Sequence, residues 1–264
     1  MKRHIRRGGL PAAALLPVLA LAVACSGTGE PAGAGEDAGR TPAASEAGDR
    51  SAPLTAGGLK AALLTEAEAE AAGFTVTGGG ARTGAAADDA DGDATEPAAC
   101  AALRKVRSEE APGRGESAAA WSMMYGRDGA GALRKTVLTS YPAKTARSRV
   151  AELRRAVDSC DRFSVRNPYG AASFTTETLP VPDLGEEVVR YRLLGRTQTT
   201  AGDKGYAYSL VTAVRVGGVI ATVETSELLG PLPPARLAEF EPEPGPDEPM
   251  IAALVEKVSG SAGG

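Results

Sequence analysis

The stretch Ala143–Phe163, AKTARSRVAELRRAVDSCDRF, carries the clearest structural signal in the chain. Its apolar residues recur in steps of four and three, which is the spacing of one face of an α-helix. Most positions between them are charged or polar, so the opposite face suits water. This pattern predicts an amphipathic helix with a cysteine at the buried end of its apolar stripe. The stripe consists of Ala146, Val150, Leu153, Val157 and Cys160.

Residues 1–24 have the organisation of a secretory signal peptide. Several basic residues near the start precede the uncharged run Gly8–Ala24, which ends in small side chains. Pro11 and Pro17 interrupt this run, and it is short for a helix that crosses a bilayer. We therefore expect this segment to direct export and to be removed from the mature protein.

The leader is followed directly by a lone cysteine in the sequence Leu21-Ala22-Val23-Ala24-Cys25. Small residues before such a cysteine resemble the lipobox of bacterial lipoproteins, a family in which the cysteine becomes the first residue and carries acyl chains. The resemblance implies a protein anchored by lipid at Cys25 on the extracytoplasmic face of the cell membrane. Ordinary cleavage near Ala24 with a free thiol is the alternative. Arg6-Arg7 leaves both general secretion and twin-arginine export open.

The composition then divides the mature chain into a tether and a folded part. Residues 25–56 are rich in Gly, Ala, Ser, Pro and Thr and carry almost no bulky apolar side chain, so we expect a disordered tether. Residues 57–260 contain enough apolar residues for one domain, and residues 261–264 form a short tail.

Charge and histidine content exclude several classes of function. Removing residues 1–24 takes away four of the 29 Lys and Arg residues and none of the 33 Asp and Glu residues, so the net charge falls from −4 to −8. Such a protein is a poor partner for nucleic acid. The leader also contains His4, the only histidine. The mature chain therefore has no histidine for a catalytic triad or a zinc site.

Cys100 and Cys160 are the only cysteines that stay available once Cys25 is acylated. Thiols in an exported protein meet an oxidising compartment, where a pair of cysteines usually forms a disulfide. We predict a Cys100–Cys160 bond that joins the central helix to a segment upstream. Two buried free thiols are the alternative.

The remaining pattern predicts an α+β fold in which an antiparallel β-sheet is flanked by helices. Thr65 and Glu68 form a capping box before a short helix that Gly73 ends. Gly217-Gly218 is a hairpin turn between two alternating stretches. The expected strands are Ala118–Tyr125, Lys135–Tyr141, Ser173–Leu179, Glu187–Leu194, Gly205–Val216 and Val219–Thr225, and the last helix is Pro249–Ser259.

Residues 77–99 are rich in Gly, Ala and Asp, and we expect a flexible acidic insertion there. Asp89, Asp91 and Asp93 alternate as in a calcium loop. An EF-hand loop needs Gly at its sixth position and Glu at its twelfth, and this chain has Ala94 and Cys100 there. We therefore predict no metal site.

The order of these features is similar to that of a known family. Leu63-Leu64-Thr65 precedes an acidic helix and a cysteine, Tyr141-Pro142 leads into the central helix, Leu184-Gly185-Glu186 follows, and Val214–Ile220 forms a hairpin before a C-terminal helix. This order resembles the extracellular sensor domain of actinobacterial PknH-type kinases and stand-alone lipoproteins that carry it. The resemblance covers about residues 59–259. It implies a sheet flanked by helices around a cleft, and a role in binding.

Two groups of side chains are candidates for ligand binding. Arg190 and Arg192 should share the outer face of one strand, with Arg215 on the outer face of the next, where guanidinium groups could hold an anion. Neutralisation by nearby glutamates is the alternative. Four aromatic residues could line an apolar pocket, although their alternation also suits a core. They are Trp121, Tyr125, Tyr206 and Tyr208.

These observations favour a binding protein over an enzyme. We expect a monomeric, lipid-anchored envelope protein that binds a small molecule or an envelope component, without a cofactor and with no nucleic-acid partner. The alternative is an interaction lipoprotein that docks another envelope protein through a surface patch, and a hydrolase without histidine comes third. A binding cleft should have an apolar floor, with arginines and backbone groups supplying the polar contacts.

Overall fold

An antiparallel sheet organises the folded part of this chain. The computed structural model describes residues 53–83, 94–107, 118–126, 133–167, 170–199, 204–229 and 247–262. The strands are β1 (Phe74–Thr83), β2 (Ala94–Glu96), β3 (Ala118–Gly126), β4 (Leu133–Ser140), β5 (Arg162–Asn167), β6 (Gly170–Thr178), β7 (Glu187–Thr199), β8 (Lys204–Val216) and β9 (Val219–Leu229). Within these residues the nine strands form one sheet in the order β1-β3-β4-β9-β8-β7-β6-β5-β2.

Helices pack on both faces of this sheet, which confirms the predicted α+β class. They are α1 (Ala56–Ala62), α2 (Glu66–Ala71), α3 (Ala101–Lys105), α4 (Ala143–Ser159) and α5 (Asp247–Ala262), with a 3-10 turn at Ala98–Cys100. Helices α1, α2 and α5 lie on one side, which we call the α5 face. Helices α3 and α4 lie on the other side, the α4 face.

The central helix follows its sequence pattern closely. Helix α4 spans Ala143–Ser159, and Cys160 caps its C-terminus. Every residue of the predicted apolar stripe is buried against the sheet. The Cys100–Cys160 disulfide is present with a Cα–Cα distance of 5.8 Å, so that prediction is confirmed.

Two further contacts hold helix α3 on the α4 face. The hydroxyl of Tyr191, a fully buried residue on β7, donates to the carbonyl of Leu103 at 3.0 Å. Burial raises the pKa of this tyrosine above its usual range. Arg107, just after the helix, lies 2.8 Å from a carboxylate oxygen of Glu224 on β9. A helix of five residues has little stability of its own, so these long-range contacts and the disulfide determine its position.

The local signals at turns and caps are also confirmed. Thr65 and Glu68 make both hydrogen bonds of a capping box at the start of α2. Gly73 has a φ of 89°, which permits the sharp exit into β1. Gly217 has a φ of 56° in the β8–β9 turn, and the carbonyl of Gly218 accepts a hydrogen bond from the amide of Tyr141 at 2.8 Å.

The predicted flexible insertion at 77–99 is wrong at both of its ends. Residues 77–83 belong to β1, and Ala94–Glu96 forms β2. Glycines are poor strand formers, yet a Cβ on Gly79 would lie 2.6 Å from the carbonyl oxygen of Trp121. The glycines therefore allow β1 to approach β3 closely. Asp89, Asp91 and Asp93 lie outside the described residues.

Two other elements were not expected from the sequence. Helix α1 begins at Ala56, inside the segment assigned to the tether, and the side chain of Thr55 caps it. Strand β5 follows α4 directly, where the prediction placed only the end of the helix. The leader, Cys25 and the rest of the tether up to residue 52 lie outside the described residues, so those assignments remain predictions.

Candidate functional site

The three arginines expected to form one anion site lie on opposite faces of the sheet. In the β7–β8 register, Arg190 pairs with Thr212 and Arg192 with Leu210, whereas Arg215 pairs with Glu187. Paired residues of antiparallel strands point to the same side, and alternate residues point to opposite sides. Arg190 and Arg192 therefore belong to the α5 face and Arg215 to the α4 face. The predicted three-arginine site is wrong. It assumed that Leu210 on β8 lies on the opposite side of the sheet from Arg192 on β7, whereas the register pairs these two residues.

Arg215 is a structural residue that is 5% exposed. Its Nε donates to Oε1 of Glu187 at 2.8 Å, and its Nη1 lies 2.6 Å from Oε2 of Glu186. Glu186 in turn accepts from the amide of Gly217 at 2.6 Å through its Oε1. These bonds join the segment before β7 to the β8–β9 turn. The charge of Arg215 is therefore neutralised within the fold.

Arg190 and Arg192 are neutralised as well. Arg190 was expected to point to solvent, but it is 8% exposed, and its Nη1 donates to Glu248 at the start of α5 at 2.9 Å. Arg192 donates from Nε to Glu177 on β6 at 2.6 Å. The alternative that glutamates neutralise these arginines is thus confirmed.

The four aromatic candidates do not form one pocket. Trp121 and Tyr125 lie on the α4 face, whereas Tyr206 and Tyr208 lie on the α5 face. Trp121 is half-buried, with the guanidinium carbon of Arg82 4.6 Å from its ring centroid, and Tyr125 is 44% exposed. Only Tyr208 is a fully buried core residue.

Strand β3 explains why the aromatic residues were misplaced. The apolar alternation of Trp121, Met123 and Tyr125 suggested that they face the core. The buried alternation instead runs through Ser122 and Met124, together with Ala118 and Ala120. Ser122 is accommodated there by a 2.8 Å hydrogen bond to the hydroxyl of Thr136. Small residues on this side leave room for α1, so steric fit overrides hydrophobicity.

A groove of about 540 Å³ lies along strands β5 to β8. Its lining includes Ser164, Ser173, Arg196 and Tyr206, which are aligned across four strands in the registers. Arg162 and Glu96 also line it. By register these six residues lie on the α5 face. Phe163, Phe174 and Leu194 also line the groove, so apolar side chains contribute to it beside the serine hydroxyls at the centre of the row.

Three arginines surround these hydroxyls. Arg162 and Arg166 lie two residues before and two residues after Ser164 on β5, and Arg196 lies two strands away on the same row as Ser164. All three are exposed, and none of them makes an ion pair or a side-chain hydrogen bond with another described residue. The described part of the chain therefore presents three uncompensated guanidinium groups on one face of the sheet, and those of Arg162 and Arg196 line the groove, with Arg166 next to it by register.

Sequence reasoning missed this cluster for an identifiable reason. The stretch Arg162–Asn167 reads RFSVRN, in which apolar Phe163 and Val165 alternate with polar residues. That alternation is the signal of a half-buried strand. The helical pattern of Ala143–Phe163 overlaps the first two residues of this strand and hides its alternation.

A second groove of about 670 Å³ lies between helices α2 and α5. Leu64, Met250 and Ala253 supply apolar surface, and Lys257 and Glu68 form an ion pair of 2.6 Å at its side. The hydrogen bond from Lys257 is the main cause that lowers the pKa of Glu68 from 4.5 to about 2, and bonds from Thr65 add to it. This groove is more apolar than the one along β5 to β8.

A buried carboxylate on the α4 face was also not foreseen. Glu224 on β9 is 4% exposed and lies between Arg107, at 2.8 Å, and Lys135, at 3.7 Å. Pairing with two cations compensates the desolvation of the charge. This arrangement ties α3 to the centre of the sheet.

No group of three or more His, Cys, Asp or Glu side chains is placed so that it could hold a metal ion in the described part of the chain. None of the helices in the described ranges is both long enough and apolar enough to cross a membrane.

Comparisons with known proteins include a distant structural likeness. No family model matches the chain, and no curated protein matches it. The chain is similar to the crystal structure of the extracellular domain of PknH from Mycobacterium tuberculosis, with 14% sequence identity and a TM-score of 0.49. The similarity covers 80% of this chain and 100% of that one. The sequence predicted a resemblance to PknH-type sensor domains, and the comparison supports it only as a distant structural resemblance.

Proposed function

We propose that this chain is an exported protein, anchored through lipid on Cys25, whose domain binds a small molecule or an envelope component in the groove along β5 to β8. The observation that carries the proposal is the set of uncompensated arginines and hydroxyls on this groove. On strands β7 and β8, by contrast, Arg190, Arg192 and Arg215 are each paired with a glutamate. Charged groups left open in a concavity are available to a ligand.

The disulfide supports the extracytoplasmic location in this proposal. Cys100 and Cys160 are bonded at the buried junction of α3 and α4. Such bonds form and persist in oxidising compartments outside the cytoplasm. The basic leader and the lone Cys25 add independent sequence support for export and anchoring.

The chemistry of the groove supports binding over catalysis. Arginine stays protonated in proteins, so Arg162 and Arg196 can hold an anion but cannot exchange protons. Glu96 is the one carboxylate among the described residues that line this groove. General acid–base catalysis needs a group that titrates near the working pH, and the only histidine of the chain, His4, lies in the leader.

Thermal stability in the presence of ligands tests this proposal. The full mature chain with Cys25→Ser, purified from the exported fraction, is screened against envelope lipids, glycans and small metabolites. A ligand at a hundred times its Kd should add about 2.7 kcal/mol to the free energy of unfolding. Arg196→Ala should abolish that stabilisation, and Arg155→Ala on the solvent side of α4 should not.

Two results would contradict the proposal. One is the absence of any stabilising compound in the whole screen. The other is turnover of an ester, glycoside or peptide that disappears in Glu96→Gln, which would make the groove an active site.

Docking of another envelope protein is the alternative function, and the groove between α2 and α5 favours it. Its apolar lining contains Met250 and Ala253 and lies open beside the Lys257–Glu68 pair. Cross-linking in intact cells from a photoreactive residue at Ala253 distinguishes the alternatives. A single cross-linked partner protein favours docking, whereas no cross-link together with a stabilising ligand favours binding in the β5–β8 groove.

A further inference from the structure

We propose that the groove along β5 to β8 binds a small phosphorylated sugar, with Arg162, Arg166 and Arg196 around the phosphate and Tyr206 beside the sugar ring. This inference rests on the proposed function and deepens it by naming the class of ligand.

The register places the three arginines at the corners of a triangle. Arg162 and Arg166 are four residues apart on β5, and Arg196 stands level with Ser164, midway between them and two strands away. With ordinary strand spacing and rise, each pair of Cα atoms is about 12–14 Å apart. An arginine side chain is long enough to reach inward over about half of that distance. The three guanidinium groups can thus converge on one anion above Ser164 and Ser173.

The cluster is unusual within this fold because its charges are not compensated. On the neighbouring strands β7 and β8, three other arginines meet carboxylates: Arg190 meets Glu248, Arg192 meets Glu177, and Arg215 meets Glu186 and Glu187. Among the described residues that line the groove, Glu96 is the single acidic group against these cations. Like charges on one face repel each other, and a bound anion removes that repulsion.

A phosphate group matches the cluster better than a carboxylate does. A guanidinium group binds two oxygens of a phosphate side by side, and a phosphate has enough free oxygens for more than one such partner. A carboxylate has two oxygens and is saturated by fewer arginines. The hydroxyls of Ser164 and Ser173 lie between the arginines and can donate to the remaining phosphate oxygens.

The rest of the groove suits a body rich in hydroxyl groups. Glu96 can accept hydrogen bonds from sugar hydroxyls at the β2 edge. The hydroxyl of Thr175 donates to the carbonyl of Leu194 at 3.2 Å, which leaves its lone pairs to accept from a ligand. Tyr206, half-buried on β8, offers an apolar ring face with a polar tip. These groups are complementary to a pyranose ring that carries a phosphate.

A soluble ligand is favoured over a membrane of anionic lipid. The groove of about 540 Å³ has the size of a small-molecule site. The whole chain has a net charge of −4, and removal of the basic leader makes it more acidic. A protein of that charge is repelled by an anionic bilayer, whereas a local cluster of arginines still attracts a small anion.

Titration calorimetry on the full mature chain with Cys25→Ser tests the inference. The probes are the 1- and 6-phosphates of glucose, mannose and galactose, the same sugars without phosphate, inorganic phosphate, and vesicles that contain phosphatidylglycerol. We expect at least one sugar phosphate to bind about tenfold more tightly than its free sugar and than inorganic phosphate, since both parts of the ligand make contacts. Its affinity should fall as salt is raised.

Variants assign that binding to the groove. Arg162→Gln and Arg196→Gln should each weaken the sugar phosphate about tenfold or more, and Tyr206→Ala should weaken it as well. Arg155→Gln on the exposed face of α4 is the matched control and should leave the affinity unchanged. Circular dichroism of each variant checks that the fold is retained, and the three arginine positions are exposed.

Each other outcome overturns the inference in a distinct way. If no sugar phosphate binds, or if Arg162→Gln and Arg196→Gln bind as well as the parent, the phosphate site is absent. If inorganic phosphate binds as tightly as the sugar phosphates, the site does not recognise a sugar. If only the phosphatidylglycerol vesicles bind, the arginines recognise a lipid surface instead. A neutral glycan that binds in a Tyr206-dependent way would overturn this inference and leave the proposed function intact.

Discussion

Arg215 and Glu187 are joined by a hydrogen bond of 2.8 Å between Nε and Oε1, and this contact anchors the start of β7 on β8. Arg154 on α4 lies 3.7 Å from the other carboxylate oxygen of Glu187. Glu187 therefore links the central helix to the sheet, and Arg215 and Glu186 extend the network to Gly217 in the β8–β9 turn. A side chain that could have met a ligand is used to hold three parts of the fold together.

Arg215→Gln should therefore destabilise the protein without affecting ligand binding. Without the buried guanidinium group, the negative charge of Glu187 loses its nearest positive partner. We therefore expect the free energy of unfolding to fall by about 3 kcal/mol. Urea denaturation measures the change. Arg155→Gln is the matched control and should shift stability by less than about 0.5 kcal/mol. If Arg215→Gln were as stable as the parent but bound the ligand more weakly, Arg215 would belong to a binding site instead.

The disulfide should contribute strongly to stability. Cys100 and Cys160 close a loop with a sequence separation of 60 residues. Such a closure contributes about 4 kcal/mol through the reduced entropy of the unfolded chain. We expect Cys100→Ser in a Cys25→Ser background to lower the melting temperature markedly, with no free thiol detectable in the parent until it is reduced. Two reactive thiols in the unreduced parent would refute the bond.

Cys25→Ser should release the protein from the membrane. If the acyl chains on this cysteine form the anchor, their loss leaves the acidic domain with no other attachment. Cell fractionation followed by immunoblotting should find the variant in the soluble exported fraction instead of the membrane fraction. Ser26→Ala is the neighbouring control and should stay with the membrane. Continued pelleting of Cys25→Ser would mean that another segment anchors the chain.

Glu68 should make a contribution to stability that depends on pH. Its pKa is lowered from 4.5 to about 2, chiefly by the hydrogen bond from Lys257. A lowered pKa in the folded state means that the contribution is present above pH 4.5 and is lost as the pH falls towards 2. This carboxylate is about half exposed, so water screens its charge. The Lys257–Glu68 ion pair and the capping box with Thr65 should together add about 1 kcal/mol to the free energy of unfolding.

Comparison of Glu68→Gln with the parent measures this contribution. The difference in the free energy of unfolding should be constant from neutral pH down to about pH 4.5 and should shrink below it. Glu70→Gln on the same short helix is the control for a general effect of charge. A difference that persists undiminished near pH 2 would show that ionisation of Glu68 is not its source.

Gly79→Ala should be more harmful than Gly78→Ala, although the two glycines are adjacent. A Cβ at position 79 would lie 2.6 Å from the carbonyl oxygen of Trp121, which is backbone and cannot move aside. At position 78 the nearest atom is the methyl group of Met123 at 3.4 Å. We expect a loss of about 1–3 kcal/mol for Gly79→Ala and a small change for Gly78→Ala. Equal effects in urea denaturation would contradict the close approach of β1 to β3.

Periodicity and local chemistry were sufficient to predict the elements that depend on neighbours in the chain. Helix α4, the capping box of Thr65 and Glu68, and the Gly217-Gly218 turn involve contacts over a few residues, so the sequence contains their whole cause. The disulfide was predictable for another reason, since only two cysteines remain in the exported domain. The class of the fold followed from the order of helices and alternating stretches.

The candidate site depended on relations that no single stretch contains. Alternation shows which residues of one strand share a side, but it does not show how that side aligns with the next strand. The register therefore decided that Arg215 and Arg190 point in opposite directions and that Arg162 and Arg196 point in the same one. The docking of α5 on β8 and β9 likewise brought Glu248 to Arg190, 58 residues away in the chain. Such contacts arise from packing and pairing across the sheet, which is why only the tertiary structure located the groove.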